Sequence, residues 1–214
     1  ITTINSYAFY GCSALKETEL PKSVTAIGDN AFEGCTSLGK LTGYEKITSV
    51  KSTSFRKCGA LTIYGYTGSA LAKHAQEKGI PFESMGYWGI CGTDMEWLLV
   101  GEELSVTGTG AMNDYTAENK APWSELNVRH CEMKGQITHL GSYAFDGLEG
   151  LEDIDVGVPA ASAGEYTFRN CTALREISLP VQMTAVPDGM FSGCVSLESI
   201  KFIGAVDSLG RYAF

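Results

Sequence analysis

The sequence is short of positive charge. Sixteen lysines and arginines stand against 25 aspartates and glutamates, for a formal net charge of −9 at pH 7. Nucleic acid and anionic lipid both attract lysine and arginine, so neither is an expected partner. Long apolar runs are missing too. Trp97-Leu98-Leu99-Val100 is among the longest, against about 20 residues for a membrane-crossing helix, so this segment is not expected to insert into a membrane. Six prolines without a three-residue glycine period exclude a collagen. Seven cysteines are too few for a disulfide scaffold, and their number is odd. The chain opens Ile1-Thr2-Thr3-Ile4 with no charged-then-apolar leader. What the chain does have is glycine, 25 residues, or about 12% against an average of about 7%. Apolar residues reach 44%, enough to bury a core and to argue against disorder.

The phenylalanines carry a period. Phe9, Phe32 and Phe55 are 23 residues apart, and so are Phe145, Phe168, Phe191 and Phe214. Cys12, Cys35 and Cys58 keep the same spacing, as do Cys171 and Cys194. Leu15, Leu38 and Leu61 follow it, and so do Leu151, Leu174 and Leu197. Two arrays result, one before about residue 66 and one after about residue 137. Phe55 and Phe145 are 90 apart, not a multiple of 23, so the middle is an insertion. Within a repeat, Ile154 and Val156, Ile177 and Leu179, and Ile200 and Phe202 alternate with polar residues. That period of two predicts a short strand with one buried face. Ile27 to Cys35 has no alternation, and its small residues predict a tight turn and then a helical turn. One coil cannot bury its apolar face alone; stacked coils about 4.8 Å apart can.

Leu174-Arg-Glu-Ile-Ser-Leu-Pro180, Val24-Thr-Ala-Ile-Gly28, Ala31-Phe-Glu-Gly-Cys35 and Ala8-Phe-Tyr-Gly-Cys12 together resemble the BspA-like, or Treponema-type, leucine-rich repeat. The resemblance covers roughly 140 residues at one fixed spacing. The middle segment resembles non-repeat modules that flank such repeats in gut and oral bacteria, through Cys91-Gly92, Trp97, Leu104 to Met112 and Ala121-Pro-Trp123. Leu148 stands where the repeat has cysteine, Thr18 weakens the first strand, and Gly157-Val158-Pro159 shifts the usual proline. These departures bear on local register, not on the fold. The resemblance implies an α/β leucine-rich repeat solenoid and a bacterial surface or secreted protein that contacts host, matrix or other cell-surface proteins.

In the middle, Ser69 and Gly79 predict a short helix over 70–78, with Lys78 at its C-terminal end. Leu71, Ala72 and Ala75 are expected to face the array, and His74 to be exposed. Ile80-Pro81-Phe82 is expected to return as a strand. Residues 62–85 read as a cap and 86–90 as a linker. Glu96 to Gly108 reads as a β-hairpin with a glycine-containing turn. Trp97, Met112, Tyr115 and Trp123 are its expected core. The expected domains are 1–85, a first array with its cap; 86–136, a β-rich module; and 137–214, a second array. Phe214 falls on a repeat anchor, so a fragment ending in mid-coil is expected.

No catalytic constellation stands out, and neither a cofactor nor a metal site is expected. The repeated cysteines read as a packing column, because Leu148 fills the same column; a disulfide ladder or a metal site is the alternative. Cys91 and Cys131 could bond, but are not spaced as a zinc site. His130-Cys131 is no nucleophile pair, since neighbours on a strand point to opposite faces. Gly108-Thr109-Gly110 lacks the rest of a phosphate loop. Asn170-Cys171-Thr172 is a glycosylation sequon with a cysteine expected to be buried. The candidate partner-binding residues are those that alternate with the inward ones: Glu17, Glu19 and Thr42, then Asp153, Asp155, Glu176, Ser178, Ser199 and Lys201. Their simpler role is solvation of the sheet. The leading expectation is a non-catalytic protein-binding or adhesion segment. A structural spacer, or the non-catalytic part of a secreted carbohydrate-active enzyme, is the alternative.

Overall fold

The computed structural model describes all of residues 1–214. In chain order its elements are β1 (Thr3–Ile4), β2 (Glu17–Glu19), β3 (Ala26–Ile27), β4 (Lys40–Thr42), β5 (Ser49–Val50), β6 (Thr62–Thr67), α1 (Ala70–Lys78), β7 (Phe82–Gly92), β8 (Asp94–Val100), β9 (Glu103–Ala111), β10 (His130–Leu140), β11 (Asp153–Asp155), β12 (Ser162–Ala163), β13 (Glu176–Leu179), β14 (Ala185–Val186), β15 (Ser199–Phe202) and β16 (Ser208–Leu209). The fold is a leucine-rich repeat solenoid, mostly strand, with α1 as its one helix. The chain forms two compact units, Ile1–Trp88 and Gly89–Phe214.

In the first unit, β2, β4, β6 and β7 pair in parallel, with Leu41 opposite Ile63 and Ile63 opposite Phe82. A second ladder, β1–β3–β5, aligns Ile4 with Ile27 and Ile27 with Val50. Between the ladders each coil runs through tight turns. Ala8 N donates to Asn5 O (3.2 Å), Tyr10 N to Tyr7 O (3.1 Å) and Cys12 N to Phe9 O (3.1 Å). The amides in between reach the next coil: Phe9 N to Ala31 O (2.7 Å) and Gly11 N to Glu33 O (2.8 Å). The expected helical turn does not form, because these segments hold residues in the left-handed region, two in most coils. Tyr7 (φ 64°) and Gly11 (φ 71°) do this in the first coil, Tyr166 (φ 58°) and Asn170 (φ 58°) in a later one. They turn alternate amides outward, which trades helix bonds for bonds between coils.

The repeated phenylalanines form a spine. Ring centroids are 4.8 Å apart for Phe9–Phe32 and 5.4 Å for Phe32–Phe55. In the second unit, Phe145–Phe168, Phe168–Phe191 and Phe191–Phe214 lie at 5.1, 5.6 and 5.8 Å, near parallel. Each spine is closed by a different ring. His74 meets Phe55 edge-on at 5.5 Å, and Trp123 meets Phe145 at 5.9 Å. The repeated cysteines lie beside the spine as free thiols. Cys35 Sγ donates to Phe9 O (3.1 Å), Cys58 Sγ to Phe32 O (3.0 Å), Cys171 Sγ to Phe145 O (3.2 Å) and Cys194 Sγ to Phe168 O (3.0 Å). The column therefore packs and also satisfies a carbonyl.

Helix α1 has the expected bounds. Ser69 Oγ accepts from Ala72 N at 3.2 Å, and Gly79 ends the helix at φ 65°. Its buried residues are Leu71, His74 and Ala75. The expectation of an exposed His74 is thus corrected: three residues after Leu71, it lies on the same face and supplies the last ring of the spine. Residues 86–90, expected as a linker, are strand, and the boundary between the two compact units falls within them. β7 goes on pairing with β6, Thr67 opposite Tyr87, after a register shift beyond Gly65.

In the second unit, β8 and β9 form the expected hairpin, turning at Gly101 (φ 62°). Trp97, Met112, Tyr115 and Trp123 are all buried. Trp97 and Tyr115 meet Trp123 edge-on at 5.6 and 6.1 Å, and Trp123 Nε1 donates to Ala144 O at 2.8 Å. β9, β10 and β11 then pair in parallel, so the hairpin hands directly on to the coils.

Candidate functional site

Alternation along each strand separates a buried side from a solvent side. In the first unit, Glu17 and Glu19 are exposed beside Thr18, and Lys40 and Thr42 flank the buried Leu41. Glu17 lies opposite Lys40, and Glu19 opposite Thr42. Glu19 accepts a hydrogen bond from Tyr44, Lys40 Nζ lies 5.0 Å over the Tyr64 ring, and Lys22 Nζ lies 5.2 Å over Tyr44. This face mixes both charges with aromatic rings.

The second unit carries the denser charge. β10 places His130 between Glu103 and Asp153, and Glu132 between Ser105 and Asp155. His130 Nδ1 is 2.5 Å from Asp153 Oδ2, and Nε2 is 3.9 Å from Glu103 Oε1. The Asp153 hydrogen bond leads in raising the His130 pKa, with the Asp153 and Glu103 charges assisting. One residue earlier, Arg129 binds Glu152 and lies 3.9 Å from Glu102. Its hydrogen bond lowers the Glu152 pKa. Cys131 points the other way and is buried, which pushes its thiol pKa well up. A thiol held protonated behind the sheet is no partner for His130.

Glu103, His130, Glu132 and Lys134 precede Phe145, the first phenylalanine of the second array. The signal was present: Val128 and Leu151, Cys131 and Ile154, and Met133 and Val156 are each 23 apart. The repeat register thus reaches back to Val128, one coil before Phe145.

The candidate residues do not form one continuous row. Glu17, Glu19 and Thr42 belong to the first unit, and the other six to the second. Within the second unit, Glu176 pairs with Ser199 and Ser178 with Lys201. β13 and β15 form a separate two-stranded sheet, unbonded to β11. Asp153 and Asp155 therefore lie on one side of a break, and Glu176, Ser178, Ser199 and Lys201 on the other. Two adjoining cavities of about 740 and 530 Å³ lie over β11, β13 and β15, across the break, and Asp153, Glu176 and Ser199 line both.

The repeats themselves decide the kinship. The model of the BspA type leucine rich repeat region matches six copies over residues 1–70 and 119–214, more than half of the chain. The chain belongs to the BspA-type leucine-rich repeat family. Among solved structures, this BspA-type repeat chain is similar to a leucine-rich repeat protein of Treponema pallidum, TpLRR. Identity there is 20%, covering 98% of this chain and 67% of that one, at a TM-score of 0.32. A leucine-rich repeat protein of Bacteroides ovatus is similar at 17% identity, over 98% of this chain and 66% of that one, at a TM-score of 0.40. A leucine-rich cell surface protein of Faecalibacterium prausnitzii is similar at 17% identity, over 94% of this chain and 63% of that one, at a TM-score of 0.36. The chain spans about two thirds of the length of these proteins. No curated protein matches it by sequence.

Proposed function

We propose that the chain is a protein-binding or adhesion segment of a larger bacterial surface or secreted protein, working without catalysis through the exposed faces of its repeat strands. One observation carries this reading. In the second unit, β8 to β11 and β13 keep their apolar side inward, and the outer side presents charged residues in register, Glu103–His130–Asp153 above all. Asp155, Glu176 and Lys201 are exposed and unengaged by any ion pair, so their charge is free for a partner. Family membership supports the same reading, as repeat arrays bind through extended surfaces. The partner is read as a protein of host matrix or of another cell surface. The test is a pull-down with the immobilised chain against matrix proteins and bacterial surfaces. Saturable capture is expected, and Asp153→Lys, Asp155→Lys and Glu176→Lys together should abolish it while circular dichroism stays unchanged. No saturable capture, or capture indifferent to the reversal, rejects the reading.

A further inference from the structure

The break in the second unit has a physical cause and a distinct chemistry. Parallel neighbours normally bond along their whole length at about 4.8 Å spacing. β10–β11 and β13–β15 do so, and β11–β13 do not. The opening is one-sided. On the spine side the same two coils stay joined, through Tyr166 N to Asp188 O (3.0 Å), Phe168 N to Met190 O (2.9 Å) and Asn170 N to Ser192 O (2.8 Å). Two prolines account for the other side. Pro159 tightens its turn, so Ala160 N bonds Val158 O (2.9 Å), where the next coil makes the wider Met183 N to Pro180 O bond (3.1 Å). Pro187 has no N–H where Gly164 donates to Leu140 O (2.8 Å) and Gly210 to Val186 O (2.7 Å). No backbone bond joins residues 175–187 to the preceding coil.

The opening leaves two strand edges facing each other across a cleft. Around it stand Glu152, Asp153, Asp155, Glu176 and Glu198, against Arg175 and Lys201. Asp155, Glu176 and Glu198 make no ion pair. β11 and β13 still have Cα pairs within 8 Å. A whole inserted strand needs about twice the 4.8 Å spacing, so the backbone of another chain does not fit between them. A side chain fits the cavities over them. The carboxylates and the unbonded β11 carbonyls are acceptors, and a guanidinium offers five donors and no acceptor.

We propose that this cleft receives arginine or lysine side chains from an extended basic segment of the protein partner. This deepens the binding reading above and rests on it. The segment lies along the acidic face, and its cationic side chains enter the cavities over β11, β13 and β15. Charge selects the partner, and the unbonded edge of β11 adds acceptors that the bonded strands lack.

The test uses the full chain and a fluorescent peptide of alternating arginine and serine, with its glutamate counterpart as control. Binding is read by anisotropy at low and at physiological salt. The arginine peptide should bind saturably and the glutamate peptide should not. Asp155→Asn with Glu176→Gln should weaken binding about tenfold or more. Glu77→Gln with Glu125→Gln, equal in charge but off the sheet faces, should change it less than about twofold. Pro187→Gly, which restores an N–H at the break, should also weaken it. Equal losses in the two carboxylate pairs mean unspecific attraction and overturn the proposal. So does an arginine peptide that fails to bind. If the pull-down still captures a partner in that case, only the cleft proposal falls. If nothing is captured either, both fall.

Discussion

His74 and His130 respond to acid in opposite directions, and each does so for a reason visible at its own ring. His74 is buried against Phe55, and burial leads in lowering its pKa, with the charge of Lys78 adding to it. Glu77 acts against both. Above the unfolded value of about 6.5 the ring is neutral in both states and costs nothing. Below it the unfolded chain takes the proton first, so stability falls with pH until the depressed folded value is passed. His130 is the reverse. Its pKa is raised by Asp153, so its contribution is complete below about 6.5 and disappears as pH rises through the folded value. His74→Phe, which supplies a ring of the spine's own kind, should therefore flatten the acid loss of Tm, and His130→Gln should steepen it. Thermal melts of the two variants and the parent between neutral and mildly acidic pH measure both slopes. A His74→Phe advantage that does not grow on acidification would contradict the buried-neutral account. In sequence His74 reads as exposed because histidine is polar, while its position three residues after Leu71 puts it on the buried face. Only the missing next phenylalanine of the first spine hinted at its place.

At the scale of elements, legibility followed how local the determinants are. Helix α1 was readable to the residue, since Ser69 and Gly79 fix its ends by their own backbone and side-chain chemistry. Ser69→Ala should remove the cap and cost about 1 kcal/mol, measured by urea denaturation of the parent and the variant. A change near zero would show that packing of Leu71 and Ala75 holds the helix by itself. The handover from hairpin to coils was less readable. Gly135 looks like an ordinary glycine, yet it lies opposite Gly108 in the β9–β10 ladder at φ 104°, and a Cβ there would run into the Gly108 carbonyl oxygen. Gly135→Ala should destabilise the second unit by more than about 1 kcal/mol. The same measurement tests it, and an unaffected midpoint would mean that the junction yields without loss. The turns of each coil were half readable. Glycines at 11, 34, 147 and 193 announced bends, but Tyr7, Tyr143 and Tyr166 hold left-handed backbone without any such mark. The coil imposes that conformation through its bonds to the next one, which no single repeat displays.

On the scale of a whole unit, a solenoid is as strong as each junction between neighbouring coils, because coils touch only their neighbours. The fold was legible for this reason: a 23-residue period in phenylalanine, cysteine and leucine is one packing solution written repeatedly. The weak junction was not legible from that period, since Leu151, Leu174 and Leu197 keep perfect spacing across it. It resides in the departures, Pro159 and Pro187, which remove or redirect backbone bonds while leaving the apolar columns intact. The spine bridges the break, with Phe145, Phe168 and Phe191 all buried, so the coils remain attached through their cores. Local opening should therefore start on the sheet side of that junction and spread toward residue 214 before the hairpin core is disturbed. Hydrogen exchange gives the readout. Amides of Glu176 and Ser178, which have no partner in the preceding coil, should exchange far faster than those of Glu132 and Met133 in the bonded β9–β10–β11 ladder. Protection at Glu176 and Ser178 equal to that at Met133 would mean the junction closes in solution. A basic peptide that slows exchange at Glu176 and Ser178, and leaves Met133 unchanged, would locate its seat in the break and not on the charged face at large.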